Sequence, residues 1–326
     1  MDLFDEIATK IKGQNKTIVF PEGEDKRVMG AAIRLQNDGM LKPILLGPRA
    51  EIDKTASDNG FDISGLEVID PAEYPEADKK AMFDALLERR KNKNTPEQVK
   101  KMLEDVSYFG TMLVYMGKAD GMVSGAVHST GATVRPALQI VKTKPNAHLI
   151  SGYFLLLKGD QRYIFADSAI NIEVDSSMMA EIAVQSAHTA KMFGIDPKVA
   201  LLSFSTKGSA KAETVTKVAD ATAKVHELAP DLPADGELQF DAAFVPKVAA
   251  AKAPGSKVAG HANVFIFPNL DAGNIGYKIA QYFGGFTAIG PLMQGLNAPI
   301  SDLSRGCNED DVYKAAMIMA LEASEK

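Results

Sequence analysis

Thr17-Ile-Val-Phe20, a run from about Asp25 to Asn37, and Pro43-Ile-Leu-Leu46 together form the stretch whose reading decides the fold. The first segment is apolar and β-branched, the signature of a short buried strand, and Pro21-Glu-Gly23 ends it. Val28, Ala31, Ala32 and Leu35 then recur at helical spacing, with Gly39 just past the end of the run. Pro43 to Leu46 reads as the next strand. Strand, helix and strand in close succession predict a βαβ unit, and such units favour a parallel sheet with helices on both faces. Gly23 and the helix after it make only a partial glycine-rich loop, which does not amount to a dinucleotide site.

Working outward, the bulk numbers narrow the class. At 326 residues the chain is long for one core and is expected to form two domains. Hydrophobic residues at 46% and charged residues at 24% match a soluble globular protein. A net charge of −6 argues against general binding to nucleic acid or to an anionic membrane, although single arginines can still hold a phosphate. The one cysteine, Cys307, leaves no internal disulfide and fits a reducing compartment. The opening Met1-Asp-Leu-Phe-Asp-Glu lacks the pattern of a signal peptide, and no apolar run approaches the roughly 20 residues of a membrane span. A cytoplasmic protein is expected. Five histidines, at 128, 148, 188, 226 and 261, show no ligand spacing, so no metal site is expected. His128 alone is placed where it could orient a neighbour.

Residues 51 to 75 read as turn-rich, with strand-like Leu66-Glu-Val-Ile69 inside. Ala77 to Lys91 reads as a helix, and Thr95-Pro-Glu-Gln98 as the start of another with a cap and Pro at N1. The basic run Glu88-Arg-Arg-Lys-Asn-Lys93 between them reads as a solvated helix end. His148 to Leu156 and Arg162 to Phe165 are strand-like and joined by a hairpin at Gly159-Asp160. A helix capped near Asp175 or Ser176 follows and closes at Gly194. Strands at Val199 to Phe204 and Asn263 to Phe267 each precede a helix, the first from Ala212 to Leu228 and the second ending at Phe283. Gly290-Pro-Leu-Met-Gln-Gly295 reads as a loop leading back to the first domain. The expected domains are 1–146 with 301–326, and 147–300; two crossings would make a hinge.

Gly121-Met-Val-Ser-Gly-Ala-Val-His-Ser-Thr-Gly-Ala-Thr-Val-Arg-Pro136 carries the residue types of an anion site. Met122 and Val123 end a strand, and Gly125, Ser129, Thr130 and Gly131 form a small-residue turn expected to offer free backbone N–H groups and two hydroxyls. Arg135 is expected at the start of the following helix, with Pro136 at N1. These features suit an anion, and an ordinary strand-to-helix turn with a surface arginine fits them too. Ser205-Thr-Lys-Gly-Ser209 also lies between a strand and a helix; it lacks P-loop spacing, yet Lys207 with backbone N–H groups could hold a phosphate. Near the C-terminus, Ser304 and Arg305 fall in a turn before Glu309, Asp310 and Asp311, acids that a helix start favours through its dipole.

Five blocks in order carry a resemblance to a family: Asp120 to Gly131, Arg135-Pro136, Ser205 to Ser209, Gly290 to Gly295, and Asp302-Leu-Ser-Arg-Gly306. Any one is weak and the set is specific. Over essentially its whole length the chain resembles phosphate acetyltransferase (phosphotransacetylase). The resemblance implies two α/β/α domains with mostly parallel sheets and an interdomain cleft, of the isocitrate/isopropylmalate dehydrogenase type. It implies reversible transfer of acetyl between acetyl phosphate and coenzyme A, with acetyl-CoA and phosphate on the other side, usually in a homodimer. Coenzyme A is then a substrate, and no cofactor is tightly bound. Asp311 is implied as general base for the thiol, with Ser304 and Arg305 beside the reacting groups. Arg135 and Arg90 are implied at the phosphate and coenzyme A sites, although the adjoining Arg89 lets that alignment slide by one. Ser129, Thr130, Gly131, Lys207 and Ser209 complete the expected substrate contacts. Asn171-Ile-Glu-Val174 departs from the family's proline-containing turn, which leaves Asp167 to Asn171 without a role.

The chemistry suits these residue types. Acetyl phosphate is already activated, and a guanidinium can hold its oxygens bidentately while charge collects on the departing phosphate. An aspartate near pKa ~3.9 facing a thiol near ~8.5 has a deficit of about 4.6 units, or roughly 6 kcal/mol. A stabilised thiolate, a buried base or concerted transfer would offset it. Cys307 has no visible histidine partner, so direct attack by coenzyme A is expected rather than an acyl-enzyme. Rival readings are a phosphate butyryltransferase-like enzyme, a hydroxyacid-decarboxylating dehydrogenase and a non-catalytic coenzyme A-binding module.

Overall fold

In a computed structural model that describes residues 2–325, the chain forms two compact units. The first is made by the chain up to Pro145 and again from Leu296; the second is Asn146–Gly295. The first leg runs α1 (Leu3–Ile11), β1 (Thr17–Phe20), α2 (Lys26–Asn37), β2 (Lys42–Leu46), α3 (Arg49–Asn59) and β3 (Glu67–Ile69). It continues through α4 (Glu76–Arg89), α5 (Pro96–Met102), α6 (Val106–Tyr115), β4 (Gly121–Val123) and α7 (Thr130–Ile140). The second unit opens with β5 (Ser151–Lys158), β6 (Gln161–Ala166), α8 (Ser176–Met192), β7 (Val199–Leu202), α9 (Glu213–Leu228) and β8 (Ala234–Leu238). It closes with α10 (Phe240–Phe244), α11 (Pro246–Lys252), β9 (Val264–Ile266), α12 (Leu270–Tyr282) and β10 (Thr287–Gln294). The chain then returns as β11 (Ile300–Ser301) and α13 (Glu309–Ser324).

The opening βαβ unit forms as predicted. Its strands β1 and β2 pair in parallel, Thr17 opposite Lys42 and Phe20 opposite Leu45. They belong to a sheet of order β11-β4-β1-β2-β3 in which every pairing is parallel. Ile18, Val19 and Phe20 are all buried, the continuous apolar pattern of a strand covered on both faces. Helix α13 is buried almost all round, from Val312 through Leu321, and packs against α1, α2 and β4. At Gly30 of α2 an added Cβ would meet the Glu309 carboxylate of α13. The second sheet, β10-β5-β6-β9-β7-β8, is mixed: β5 is antiparallel to both neighbours and the remaining pairings are parallel.

Several expectations are corrected. Helix α3 occupies ground read as turns, because only Ile52 and Ala56 of it are buried and so little apolar surface leaves no visible period. Strand β8 is Ala-Asp-Gly-Glu-Leu, which has no strand signature and is held by pairing with β7. Pro136 lies inside α7, not at its first turn; the helix begins at Thr130 and is entered from Ser129. Gly290 to Gly295 is mostly edge strand β10, with Pro291 at the bulge between Ile289 and Leu292, a position that needs no ladder donor. The second unit ends at Gly295 rather than 300. Leu296 bridges Thr143, the Asn297 N–H donates to Lys142 O at 2.9 Å, and β11 pairs with β4, so residues 296–300 belong to the first unit. Residues 1 and 326 of the expected first domain lie outside the described residues.

The segment Asp167 to Asn171 acquires a role. The buried Asp167 carboxylate accepts the backbone N–H groups of Gly152 (3.1 Å), Ala169 (2.9 Å), Ile170 (3.0 Å) and Asn171 (2.9 Å), and the Asn171 side-chain amide at 2.6 Å. It closes the corner after β6 onto β5. Asp167→Ala strands these donors, and at about 1–3 kcal/mol for an unsatisfied buried group the loss should be at least ~3 kcal/mol. The urea midpoint measures it; a loss below ~1 kcal/mol would contradict this role.

Candidate active site

The turn after β4 is built on Glu22, which follows β1 in the neighbouring strand position. The Glu22 carboxylate is 1% exposed and accepts four successive backbone N–H groups. Gly125 and Ala126 donate to Oε2 at 3.0 and 2.8 Å, and Val127 and His128 to Oε1 at 2.9 and 2.7 Å. The expected free N–H groups of this turn are therefore already filled, by the protein's own carboxylate. The His128 ring adds an ion-pair contact, Nδ1 lying 3.1 Å from Oε1. Burial alone would push the Glu22 carboxyl up, but the His128 side chain and the backbone donors reverse this and hold it below the usual range. The Glu22 contact raises the His128 pKa in return. Gly125 is required at φ +111, and a Cβ there would come within 2.6 Å of Leu303 N and overlap the Asp302 carboxylate.

Two further side chains bring the 302–308 segment against this turn. Arg27, in the first turn of α2, donates from Nη1 to the carbonyls of Arg305 and Cys307, both at 2.9 Å. Its Nη2 donates to the Ala126 carbonyl at 2.8 Å, and Asp25 holds the guanidinium through Nε at 3.0 Å and Nη2 at 2.9 Å. Asp302 is 1% exposed, and its Oδ2 accepts the Thr130 hydroxyl at 2.6 Å. Burial pushes the Asp302 carboxyl up to about 6, against the pull of the Thr130 hydroxyl and of the nearby Leu303 N–H and Thr133 hydroxyl.

Several residues singled out from sequence lie in the segments that this tie joins. Ser129, Thr130 and Gly131 are exposed at the start of α7, where the first N–H groups have no intrahelical acceptor. Arg135, one turn further on, is exposed and makes no hydrogen bond or ion pair among the described residues. Arg90 is the C-cap of α4, with Nε on Asn94 Oδ1 at 2.8 Å. Arg135 and Arg90 both act on the hydroxyl of Tyr108: burial raises it, and the two cations oppose that rise. Arg89 is occupied elsewhere, its Nε on Ile140 O at 2.6 Å and Nη2 on Val141 O at 3.3 Å, closing the end of α7. Arg89 thus commits two of its nitrogens to the end of α7, whereas the terminal nitrogens of Arg90 make no hydrogen bond among the described residues.

Ser304 and Arg305 are exposed in a tight turn in which Cys307 N donates to Ser304 O at 2.9 Å. Cys307 is buried, and that burial pushes its thiol up to about 11, with Asp311 adding to the rise; such a thiol is not a thiolate at neutral pH. The three acids of α13 are not interchangeable. Glu309 and Asp310 pair with Arg34 at 3.1 and 3.5 Å, and Asp310 also with Lys314 at 2.7 Å. Asp311 instead completes a capping box with Asn308: Oδ2 accepts the Asn308 N–H at 2.9 Å, and Asn308 Oδ1 accepts the Asp311 N–H at 3.0 Å. Its Oδ1 has no such commitment.

Lys207 and Ser209 belong to the second unit. There the buried Glu237 carboxylate fills the loop, accepting Gly208 N–H at 2.7 Å and the Ser205 hydroxyl at 3.0 Å. Lys207 pairs with Asp235 and donates to Gly236 O at 2.8 Å, while Ser209 Oγ accepts Thr206 N–H at 3.0 Å. Among the described residues, no group of three or more His, Cys, Asp or Glu gathers as a metal site, and no helix is long and apolar enough to cross a membrane. Glu22, Arg27 and Asp302 were not singled out from sequence. Only Asp302 carried a signal, as the first residue of the Asp302 to Gly306 block.

Residues 2–320 match the family model described as phosphate acetyl/butaryl transferase. The chain is 55% identical to a phosphate acetyltransferase of Staphylococcus epidermidis, with 99% of each chain covered. It is 54% identical to one of Bacillus subtilis at the same coverage. Among solved structures, a phosphotransacetylase from Streptococcus pyogenes superposes with a TM-score of 0.95 at 57% identity, covering 99% of this chain and 98% of that one.

Glu22 predicts how stability follows pH. Its pKa is lowered in the folded protein, so its contribution is complete above its ordinary value of 4.5 and fades as pH falls through the native value. Glu22→Gln should cost about 2–4 kcal/mol at pH 7, since it places amide hydrogens against backbone donors. Urea titrations of both proteins from pH 7 down to pH ~3 should show the gap closing. A gap that stays constant would contradict the assignment.

Proposed function

The chain belongs to the phosphate acetyl/butaryl transferase family, and on that premise we propose that it moves acetyl reversibly between acetyl phosphate and coenzyme A. It is an acyltransferase. The reaction is direct: the coenzyme A sulfur attacks the acetyl carbonyl while both substrates are bound, and the carbon–oxygen bond to phosphate breaks. The thiol proton passes to Asp311 Oδ1 and finally to phosphate, so that CoA–SH and acetyl phosphate give acetyl-CoA and hydrogen phosphate. Arg305 stabilises the developing thiolate, which offsets part of the roughly 6 kcal/mol mismatch between aspartate and thiol. Ser304 hydrogen-bonds beside the reacting carbonyl. Arg135 and the start of α7, from Ser129 to Gly131, take the phosphate, and Arg90 supplies a second cation for phosphate or coenzyme A.

One observation carries this reading. Arg27 and Asp302 tie the 302–308 turn to the loop that enters α7, while Arg135, Arg305 and Ser304 stay exposed and Asp311 keeps one oxygen uncommitted. Lys207 and Ser209 are left out of the machinery, because both are committed inside their own loop. Coenzyme A is read as substrate, with no tightly bound cofactor. A cytoplasmic homodimer fits the remaining surface. Ile275, Ile279, Tyr282 and Phe283 of the α12 region stand exposed, Phe283 at 92%, which suits a face covered by a second copy.

Three sets of variants test the roles. Asp311→Asn keeps an acceptor for the capping box, so it should leave stability within ~1 kcal/mol while lowering kcat by roughly 10²–10⁴-fold. That loss should shrink as pH rises toward the thiol pKa; Glu309→Gln and Asp310→Asn should show neither effect. Equal, small losses in all three would return Asp311 to a capping role only. Arg135→Ala and Arg305→Ala should lose activity with unchanged thermal melts, and near-wild-type turnover in either would remove that arginine. Cys307→Ala should keep most of its activity. Acetyl trapped on the native enzyme and absent from this variant would overturn direct attack.

A further inference from the structure

One buried group has no task in that reaction. Asp302 gives Oδ2 to the Thr130 hydroxyl, while its Oδ1 makes no hydrogen bond of normal geometry, the Leu303 N–H and the buried Thr133 hydroxyl lying near the carboxyl. The carboxyl lies under the first turn of α7, facing Thr130 and Thr133. A helix start draws an anion, whereas a carboxylate beneath it repels one. Both can occupy that turn only if a proton is held between them. Hydrogen phosphate arrives with such a proton. Sulfate, similar in shape, has none at neutral pH.

We propose that Asp302, acting through the Thr130 hydroxyl, makes the first turn of α7 selective for hydrogen phosphate over fully ionised oxyanions such as sulfate. The inference rests on the reading of that turn as the phosphate site. Thr130 gives its own hydrogen to Asp302, so toward the ligand its oxygen can only accept. The O–H of hydrogen phosphate is the matching donor, and it is the form in which phosphate is left by transfer of the thiol proton. Sulfate binds only after Asp302 has taken a proton from solvent. The charged groups around Asp302 are Glu22, which adds to the raised pKa, His128 paired with Glu22, and Arg27 on the Ala126, Arg305 and Cys307 carbonyls. Because the acid titrates at about 6, sulfate affinity should fall about tenfold per unit as pH rises above that value.

The test is inhibition of acetyl-CoA formation by inorganic phosphate and by sulfate, each competing with acetyl phosphate, from pH ~6 to ~8. In the wild type the preference for phosphate should widen with pH. Asp302→Asn should bring the two inhibition constants close together and flatten the trend. Thr130→Ser should keep the preference and Thr130→Val lose it, a pair that carries the test even if Asp302→Asn does not fold. A purely structural role would weaken both oxyanions alike. If the preference survives Asp302→Asn and Thr130→Val while Arg135→Ala still weakens phosphate, the inference is overturned and the site reading stands. If neither Arg135→Ala nor Asp302→Asn alters phosphate inhibition, phosphate binds elsewhere and both fail.

Discussion

A single buried carboxylate gathering four backbone N–H groups is the constraint on which the candidate site depends. Glu22 cannot remain ionised in its place unless those donors and His128 surround it, and the 125–128 turn cannot take its path unless an acceptor fills it. Each side enforces the other. The turn sets the entry to α7, and with it Thr130 and Arg135. Through the Ala126 carbonyl it holds Arg27, whose guanidinium also donates to the carbonyls of Arg305 and Cys307. Exposed, uncommitted groups of the kind a transferase needs are thus carried on a frame whose own polar groups are satisfied.

The same device recurs away from the site. Asp167 closes the corner after β6, and Glu237 fills the 205–209 loop. In each case a small-residue turn that resembles an anion cradle has already received an anion, supplied by the chain itself. What separates the start of α7 from these cradles is that its first N–H groups and the Arg135 guanidinium are left over once Glu22 is satisfied.

Much of the fold was legible because its signals are local. The β1–α2–β2 pattern, the Thr95 capping box and the Gly159-Asp160 hairpin each sit within a few residues of chain. Helix α3 and strand β8 were not legible, since one has two buried residues and the other lacks β-formers. In the site, the residue types and the order of the blocks pointed to phosphate and thiol chemistry. The identity of the group filling the turn could not be read, because Glu22 lies 103 residues before Gly125 and nothing in Pro21-Glu-Gly23 marks it. Asp311 shows the converse. Three adjacent acids look alike in sequence, and only their separate partners, Arg34 and Lys314 for two and Asn308 for the third, tell them apart.

The central claim is that the protein's own carboxylate, and not a bound substrate, orders the turn that carries the candidate site. Hydrogen exchange at the Gly125 to His128 amides measures this directly in the full-length enzyme. The account predicts slow exchange in the ligand-free protein that saturating phosphate leaves unchanged at these four amides. Fast exchange without ligand, slowed only when phosphate is added, would contradict it.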